Sequence, residues 1–514
     1  METKNQRATF SATANFRPIP HLEIQTAINY TWRNIEKNGI ESLSPGGGKA
    51  VIYPYARLVD ENRNAIPLLK DYRMPFIDTA GAGRLLDWKY NPLDELKLAD
   101  NATITKAVLL RLNIKYNINR SLSLIINTQL QDDNSQQHSY RSIKTYSTRN
   151  LINRYTQLNG ATLKNNIPLG GILDNNSGHT LGYAVRSQLN YNNTWKKIYR
   201  LNAIAGAEIR QTHFTGENFR AYGYDDNLLT FSQVDYINAV QLYGNFGSSS
   251  IPAYQGYDDV TNRFVSLYTN LIGSINDRYT FSASARKDAS NLFGVNTNHK
   301  WTPLWSTGAA WNMSTEKFYK WKALSSLRLR FTYGYSGNID NSTTSLPIIG
   351  YRSGISPTFI RYAVLSTAWN PDLRWEKIRT INWGIDFLVK NNRLSGSIEY
   401  YRKKATDLLS PTPVDPTLGL PGNIVTRNVA ILNSNGVDIK LNSKLINKAL
   451  RLDIALLFAY NRNKIEKYLN ESANKGGRVG YGYVITPIEG NDPYALISYK
   501  FWGSIHKQAT PSEW

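Results

Sequence analysis

Six histidines are the first residues to question for metal or acid–base chemistry: His21, His138, His179, His213, His299 and His506. No two stand at ligand spacing and no His-Glu-x-x-His occurs, so no zinc hydrolase site is written here. Cysteine is absent, which removes thiolate metal sites, a cysteine nucleophile and a disulfide framework. Ser44-Pro-Gly-Gly-Gly-Lys-Ala50 looks like a phosphate loop. It lacks the first glycine, and Ala50 stands where Ser or Thr would hold magnesium, so turn chemistry explains it better. Gly-Tyr-Asp-Asp occurs twice, at Gly223–Asp226 and Gly256–Asp259. Paired loop carboxylates can hold calcium through oxygen ligands, although EF-hand spacing is missing. A loop-stabilising calcium is therefore the only cofactor expectation. No Ser/His/Asp order or paired-carboxylate site stands out, and the chain is expected not to be an enzyme.

The residues suited to binding are aromatic. The chain holds 33 Tyr and 12 Trp against 3 Met. Tyr222, Tyr224, Tyr254 and Tyr257 fall in one long connection; Tyr351, Arg352 and Tyr362 fall in another. Rings with a polar tip are suited to holding sugars and peptides, so these are the expected substrate contacts.

Something must position those connections, and the sequence shows what. His21–Trp32 reads HLEIQTAINYTW, with Leu22, Ile24, Ile28, Tyr30 and Trp32 on one face of a strand. Glu23, Gln25, Asn29 and Thr31 lie on the other. The same period of two recurs at 7–16, 104–116, 122–131, 183–192, 198–210, 264–275, 279–287, 303–312, 327–335, 378–389, 394–403, 436–443 and 450–461. That predicts about fourteen strands of roughly ten residues, the length of a tilted strand crossing a bilayer. The connections alternate. Short ones fall at 17–21, 117–121, 193–197, 276–278, 391–392 and 444–449; long ones at 33–103, 132–182, 211–263, 336–377 and 405–435. Met313–Ser326 is intermediate, with a helical turn expected at Thr315–Trp321, and Lys390-Asn-Asn-Arg393 suits a two-residue primed turn.

Tight turns at one end and long loops at the other are the pattern of an outer-membrane barrel. Arg111, Arg186, Arg200 and Glu208 sit in mid-strand among the polar positions. An arginine facing lipid at the midplane costs about 2–4 kcal/mol, so these must face a wet lumen. Tyr30, Trp32, Tyr116, Tyr191, Tyr199, Tyr279 and Trp311 would form the interfacial girdles. Mean hydropathy is −0.42 and the best apolar run, Ile454–Tyr460, is too short for a spanning helix. The net charge of +21 is spread along the chain, its densest tract being Arg402–Lys404. Nucleic acid is not expected as a partner; anionic lipid, a mildly acidic ligand or a solvated surface fits better.

Two stretches resemble a known family. The first runs from Arg286-Lys-Asp-Ala-Ser-Asn-Leu-Phe-Gly294 through Trp305, Trp311 and Leu327-Arg-Leu-Arg330 to Tyr333-Gly-Tyr-Ser-Gly-Asn338. The second is Trp369-Asn-Pro-Asp-Leu-Arg-Trp-Glu376, followed by Asn382–Phe387, Asn392–Tyr401 and Asn435-Gly-Val437. Their order and spacing resemble the barrel of SusC/RagA-type TonB-dependent outer-membrane transporters. Arg286, Asp288, Phe293, Gly294, Gly337, Asn338, Asn370, Pro371, Asp372, Trp375, Glu376, Gly384, Asp386, Tyr400 and Gly436 carry the match and are expected to be structural.

The resemblance implies an all-β fold, an antiparallel transmembrane β-barrel of about 22 strands, of which this chain would supply about fourteen. It implies import of an oligosaccharide or peptide, a SusD-like lipoprotein lid, and coupling to the TonB complex through a plug. Neither plug nor TonB-contacting box is recognisable, and METKNQRATF is not a signal peptide. The expectation is a partial barrel over 1–503, a non-alternating tail at 504–514, and a truncated chain that does not function alone. The competing readings are a soluble or surface-attached all-β carbohydrate-binding protein and, behind it, a β-rich hydrolase.

Overall fold

In the computed structural model the described residues are 4–37, 55–291, 302–338, 340, 343–352, 362–389, 393–420, 423–447, 451–468 and 488–495. Strands β1 (Lys4–Ile19), β2 (Leu22–Glu36), β3 (Ala99–Asn117) and β4 (Leu122–Arg141) open the chain. Short β5 (Thr156–Asn159) and β6 (Thr162–Asn165) precede the long pair β7 (Gly171–Trp195) and β8 (Tyr199–Asp225). β9 (Thr230–Ser232), β10 (Val240–Gln241) and β11 (Ser248–Ser249) decorate the next connection. Then come β12 (Gly256–Ile275), β13 (Tyr279–Ser290), β14 (Thr302–Asn312) and β15 (Leu324–Asn338). The hairpin β16 (Ile348–Arg352) and β17 (Tyr362–Thr367) leads to β18 (Glu376–Val389), β19 (Leu394–Pro413), β20 (Ile424–Asn447) and β21 (Arg451–Lys467). Helices α1 (Met74–Thr79), α2 (Pro92–Leu98) and α3 (Tyr146–Arg154) lie in the connections.

One antiparallel sheet contains β1-β2-β3-β4-β7-β8-β12-β13-β14-β15-β18-β19-β20-β21 in that order, with β9 added beside β8. The fourteen main strands are those expected, and every neighbour is the next long strand in sequence. Among the described residues β1 pairs only with β2 and β21 only with β20, so the sheet has two open edges.

The register explains the alternation. Ile24 stands opposite Phe16 and Ile114, and Ile114 opposite Ile126. Farther round, Val185 faces Ile209 and Ile209 faces Val265. The apolar positions thus form one continuous face, and they are exposed: Leu130, Val185, Ile209 and Leu267 are each at least 41% accessible. Buried hydrophobic clusters among the described residues lie in the connections and strand extensions, not between layers of sheet. Beside the short turns, Tyr199, Ile275, Tyr279 and Trp311 make one outward row, an aromatic girdle.

The strands depart from expectation in length, running from 11 residues in β14 to 27 in β8. Stretches read as loops, such as 132–141, 171–182, 211–225 and 405–413, continue as paired strand. Above the hydrocarbon both faces meet water or loop, so apolar alternation is no longer required and the sequence ceases to show it. The short turn 276–277 places Asn276 and Asp277 at φ 54° and 55°, a primed geometry suited to both residues. Lys196 and Lys197 adopt the same left-handed region without a matching signal. The helical turn expected at 315–321 is one 3-10 turn at Met313–Thr315. The tail 504–514 and the turn residues 390–392 lie outside the described residues.

Candidate binding surface

Side chains on the polar face of the sheet reach across intervening strands. Tyr268 on β12 passes over β8 to β7, where Arg186 Nε donates to its hydroxyl at 2.5 Å and that hydroxyl donates to Gln188 Oε1 at 3.0 Å. It crosses at Gly206; a Cβ there would sit 2.5 Å from the Tyr268 oxygen. Arg330 on β15 crosses β18 at Gly384 to donate to Glu399 on β19 at 2.7 Å. Tyr401 lies over Gly436 in the same way. Glycines are used as saddles for long polar chains laid along the wall.

Several charges on this wall pair between neighbouring rows. Arg330 grips Asp386 at 2.7 and 2.9 Å, Arg286 grips Asp288 at 2.8 and 2.9 Å, and Arg286 Nη2 also donates to Ser266. Between β1 and β8 the wall opens into a cleft of about 440 Å³ lined by Thr13, Gln25, Arg111, Asn127, Arg186 and Glu208. Amides, two guanidiniums and one carboxylate facing water make a hydrogen-bonding surface without a nucleophile.

Beyond the strand ends three connections pack into one body. Ile152, Tyr155, Ile167, Ile172, Tyr222, Leu242 and Ile251 form one core, and Leu68, Ile77, Trp88, Tyr90 and Tyr146 another. Polar ties run between the connections: Trp88 Nε1 donates to Asn150 at 2.9 Å, Gly81 N to the Tyr243 hydroxyl at 2.6 Å, and the Tyr155 hydroxyl to Ser250 O at 2.7 Å. Burial and the neighbouring Asp71 push the Tyr146 hydroxyl far above the usual tyrosine range. Burial likewise raises Glu95, although its carboxylate accepts the Tyr146 N–H at 2.6 Å. Below this body Asp174 accepts from Arg220 at 2.5 and 2.7 Å and also from Arg141.

The expected binding tyrosines are dispersed. Tyr222 is fully buried and donates to Pro252 O at 2.8 Å, and Tyr224 is 8% exposed against Tyr140. Both belong to β8 rather than to a loop, and neither offers a free ring. Tyr254 lies over Arg220, the guanidinium carbon 5.1 Å from the ring centre. Tyr257 is 88% exposed at the start of β12. Tyr351 and Tyr362 are exposed on the β16–β17 hairpin, where Arg352 is the register partner of Tyr362 and Tyr351 that of Ala363. The two Gly-Tyr-Asp-Asp motifs are not brought together. Gly256 pairs with Asn218, seven residues short of Asp225 along β8, or about 23 Å at strand rise. Asp225 accepts from the amides of its own turn and Asp259 lies 2.8 Å from His213.

The signature stretch Trp369–Glu376 folds as a clip at the mouth. Asn370 Nδ2 donates to Thr426 O at 2.9 Å, and Trp375 is buried with Leu373, against which Leu409 packs. Glu376 accepts from Leu409 N at 2.9 Å and Asn338 Nδ2 at 2.8 Å. Pro371 and Asp372 make the turn, and Gly337 leaves room for Leu304 and Trp375. Tyr400 stacks on Trp383 at 5.7 Å on the outward face. Phe293 and Gly294 lie outside the described residues. Asn428, which no sequence pattern marked, ties the clip down. It accepts from Arg374 N at 3.0 Å and donates to Arg374 O and Asp407 O, each at 2.7 Å.

Comparison with known proteins agrees with this architecture. The family described as "TonB dependent receptor-like, beta-barrel" matches residues 32–507. TonB-dependent receptor P39 of Formosa agariphila is 27% identical over 317 residues, 61% of this chain and 28% of that protein. TonB-dependent receptor SusC of Bacteroides thetaiotaomicron is 29% identical over 214 residues, 40% of this chain and 21% of that protein. The RagAB peptide importer in its closed-closed state superposes with a TM-score of 0.71 at 18% identity, over 91% of this chain and 47% of that one. The matched region spans under a third of the curated relatives' length and about half of the solved one. The chain belongs to the TonB-dependent receptor β-barrel family, as an outer-membrane barrel sequence of the SusC/RagA type.

Proposed function

We propose that this chain forms part of the wall and mouth of a TonB-powered importer of an oligosaccharide or peptide, working with a SusD-like lipoprotein. The observation that carries the reading is the two-sided sheet: a continuous apolar face and an opposite face of amides, hydroxyls and paired charges. Tyr254, Tyr351, Arg352 and Tyr362 at the mouth and the Arg111–Arg186 cleft are the proposed ligand contacts. Tyr222 and Tyr224, buried at the end of β8, support them from below.

Closure of the barrel belongs to the same proposal. In hydrocarbon an unpaired strand edge leaves amides and carbonyls without partners, and only a closed barrel avoids this. Further strands therefore pair with β1 and β21 in the working transporter, and the fourteen strands here do not transport alone. The test is uptake of labelled oligosaccharide and peptide pools by cells with and without the gene, each with and without TonB. Loss of one pool in both deletions is expected; uptake unchanged by deleting the gene would overturn the reading.

A further inference from the structure

The outward face of β3, β4, β7, β8 and β12 changes character above the hydrocarbon band. Leu130, Tyr183 and Ile209 are exposed and apolar or aromatic. One step higher, His179 Nε2 lies 2.8 Å from Asp132 Oδ1, and His213 Nε2 lies 2.8 Å from Asp259 Oδ1, each pair bridging neighbouring strands. The next outward row is Ile104, Gln136, Ser177, Glu217 and Tyr257, in register across the five strands. Ser177 donates to Glu217 at 3.1 Å. Above it, His138 Nδ1 lies 3.2 Å from Asn175 Oδ1, and Phe219 stands edge-on to Phe231, ring centres 5.6 Å apart.

These rows line an open cleft of about 800 Å³ on the outside of the wall. The Gln136 row is six residues above Leu130, or about 20 Å at strand rise. For a strand tilted about 45° that is about 14 Å in height, so the cleft lies above the hydrocarbon, at the level of the headgroups. Its outward lining is the Gln136 and Asn175 amides, the Ser177 hydroxyl, the Glu217 carboxylate and the His138 imidazole, beside Ala102, Ile104 and two exposed rings, Phe219 at 38% and Tyr257 at 88%. That is the chemistry of a pyranose site: polar partners for hydroxyls and an aromatic face for the C–H side of the ring. No Lys or Arg lines it, and Glu217 would repel a phosphate.

We propose that this outward cleft seats the sugar headgroup of a glycolipid in the outer leaflet. The same strands carry the lipid-facing band directly below, so a saccharide anchored in that leaflet reaches the cleft without leaving the membrane. Nutrient entering the lumen would meet the opposite face of the wall.

The test uses the protein as its cell makes it, extracted from the outer membrane in mild detergent, with bound lipids quantified by mass spectrometry. The double variant Glu217→Ala with Phe219→Ala should retain about fivefold less glycolipid per chain or lower, with phospholipid unchanged. Asp133→Asn, one residue from Asp132 but on the inner face, should retain the parent amount. Saccharide freed of its lipid should displace little of the bound glycolipid. A Tyr257→benzoylphenylalanine variant, irradiated in intact cells, should cross-link to glycolipid. Equal retention in parent and double variant, displacement by free saccharide at matched concentration, or cross-linking to a polypeptide instead would each overturn the proposal.

Discussion

The Arg330 guanidinium passes over Gly384. A Cβ built on Gly384 would come within 3.0 Å of its central carbon, and the guanidinium continues past to Asp386 and Glu399. The absence of one methyl group is what lets a cation on β15 reach a carboxylate two strands away.

Gly384→Val therefore lifts Arg330 off the wall and separates it from Glu399. The expected cost is about 1–3 kcal/mol, as for other insertions into packed space. Gly384→Ala should cost less, because the clash is with the end of a flexible side chain. Arg330→Met, which removes the charge and the donors but keeps an unbranched stem, should also destabilise, by leaving Asp386 and Glu399 facing one another. The unfolding midpoint of the detergent-solubilised barrel measures all three, and a Gly384→Val midpoint equal to the parent's would dismiss the saddle.

Adjacent residues on β7 give a direct test of which face meets lipid. Val185 is outward, opposite Ile209; Ala184 is inward, opposite Arg210 and lining the cleft with Arg186. Val185→Arg should cost about 2–4 kcal/mol and lower the folded fraction in bilayers, whereas Ala184→Arg should leave it nearly unchanged. Heat-modifiability on gels, with each variant refolded into vesicles, reads the difference. Equal damage at the two positions would mean that both faces are packed.

The mouth clip depends on Asn428. Asn428→Ala removes its three hydrogen bonds to Arg374 and Asp407 and leaves their backbone groups without those partners. The expected loss is about 1–3 kcal/mol, borne locally because the strands below are untouched. Limited proteolysis should then cut within 370–376 while the barrel stays intact. Asn428→Asp should recover the bond from Arg374 N but not the two donated bonds, and should fall between parent and Asn428→Ala.

What the sequence showed, and what it hid, follows from where water lies. Between Leu201 and Arg210 one face of β8 meets hydrocarbon, and the alternation is legible. From His213 to Tyr224 the same strand stands in water or under loops, and nothing enforces a period of two. The sequence around Tyr222 therefore reads as loop although it is strand, and its burial depends on Ile152 and Ile251, far away in sequence. Asn276-Asp277 announced its turn; Lys196-Lys197 adopts the same φ without a residue type that favours it. The saddles were visible as family glycines at Gly384 and Gly436, but not as saddles. Their reason lies in Arg330 and Tyr401, which only the register brings to them.

The turn side of the barrel carries a pH dependence whose sign can be worked out. Glu316, just past the 3-10 turn between β14 and β15, accepts from the Tyr279 hydroxyl at 2.6 Å and from Trp311 Nε1 at 3.1 Å. Those two donors, the tyrosine first, hold its carboxyl below the usual glutamate value. A carboxyl depressed by folding binds fewer protons in the native state than in the unfolded one. Its contribution is therefore fully present above the unfolded pKa and is lost as pH falls through the folded one. The turn should loosen on acidification below about pH 4.5, the ordinary glutamate range. Trp311, whose ring lies tilted against Phe318 at 6.1 Å, reports this by its fluorescence. Glu316→Gln keeps an acceptor but no titrating group, so the same turn should show a flat acid profile and a weaker tie at neutral pH. An acid transition persisting in Glu316→Gln would assign it to another carboxylate.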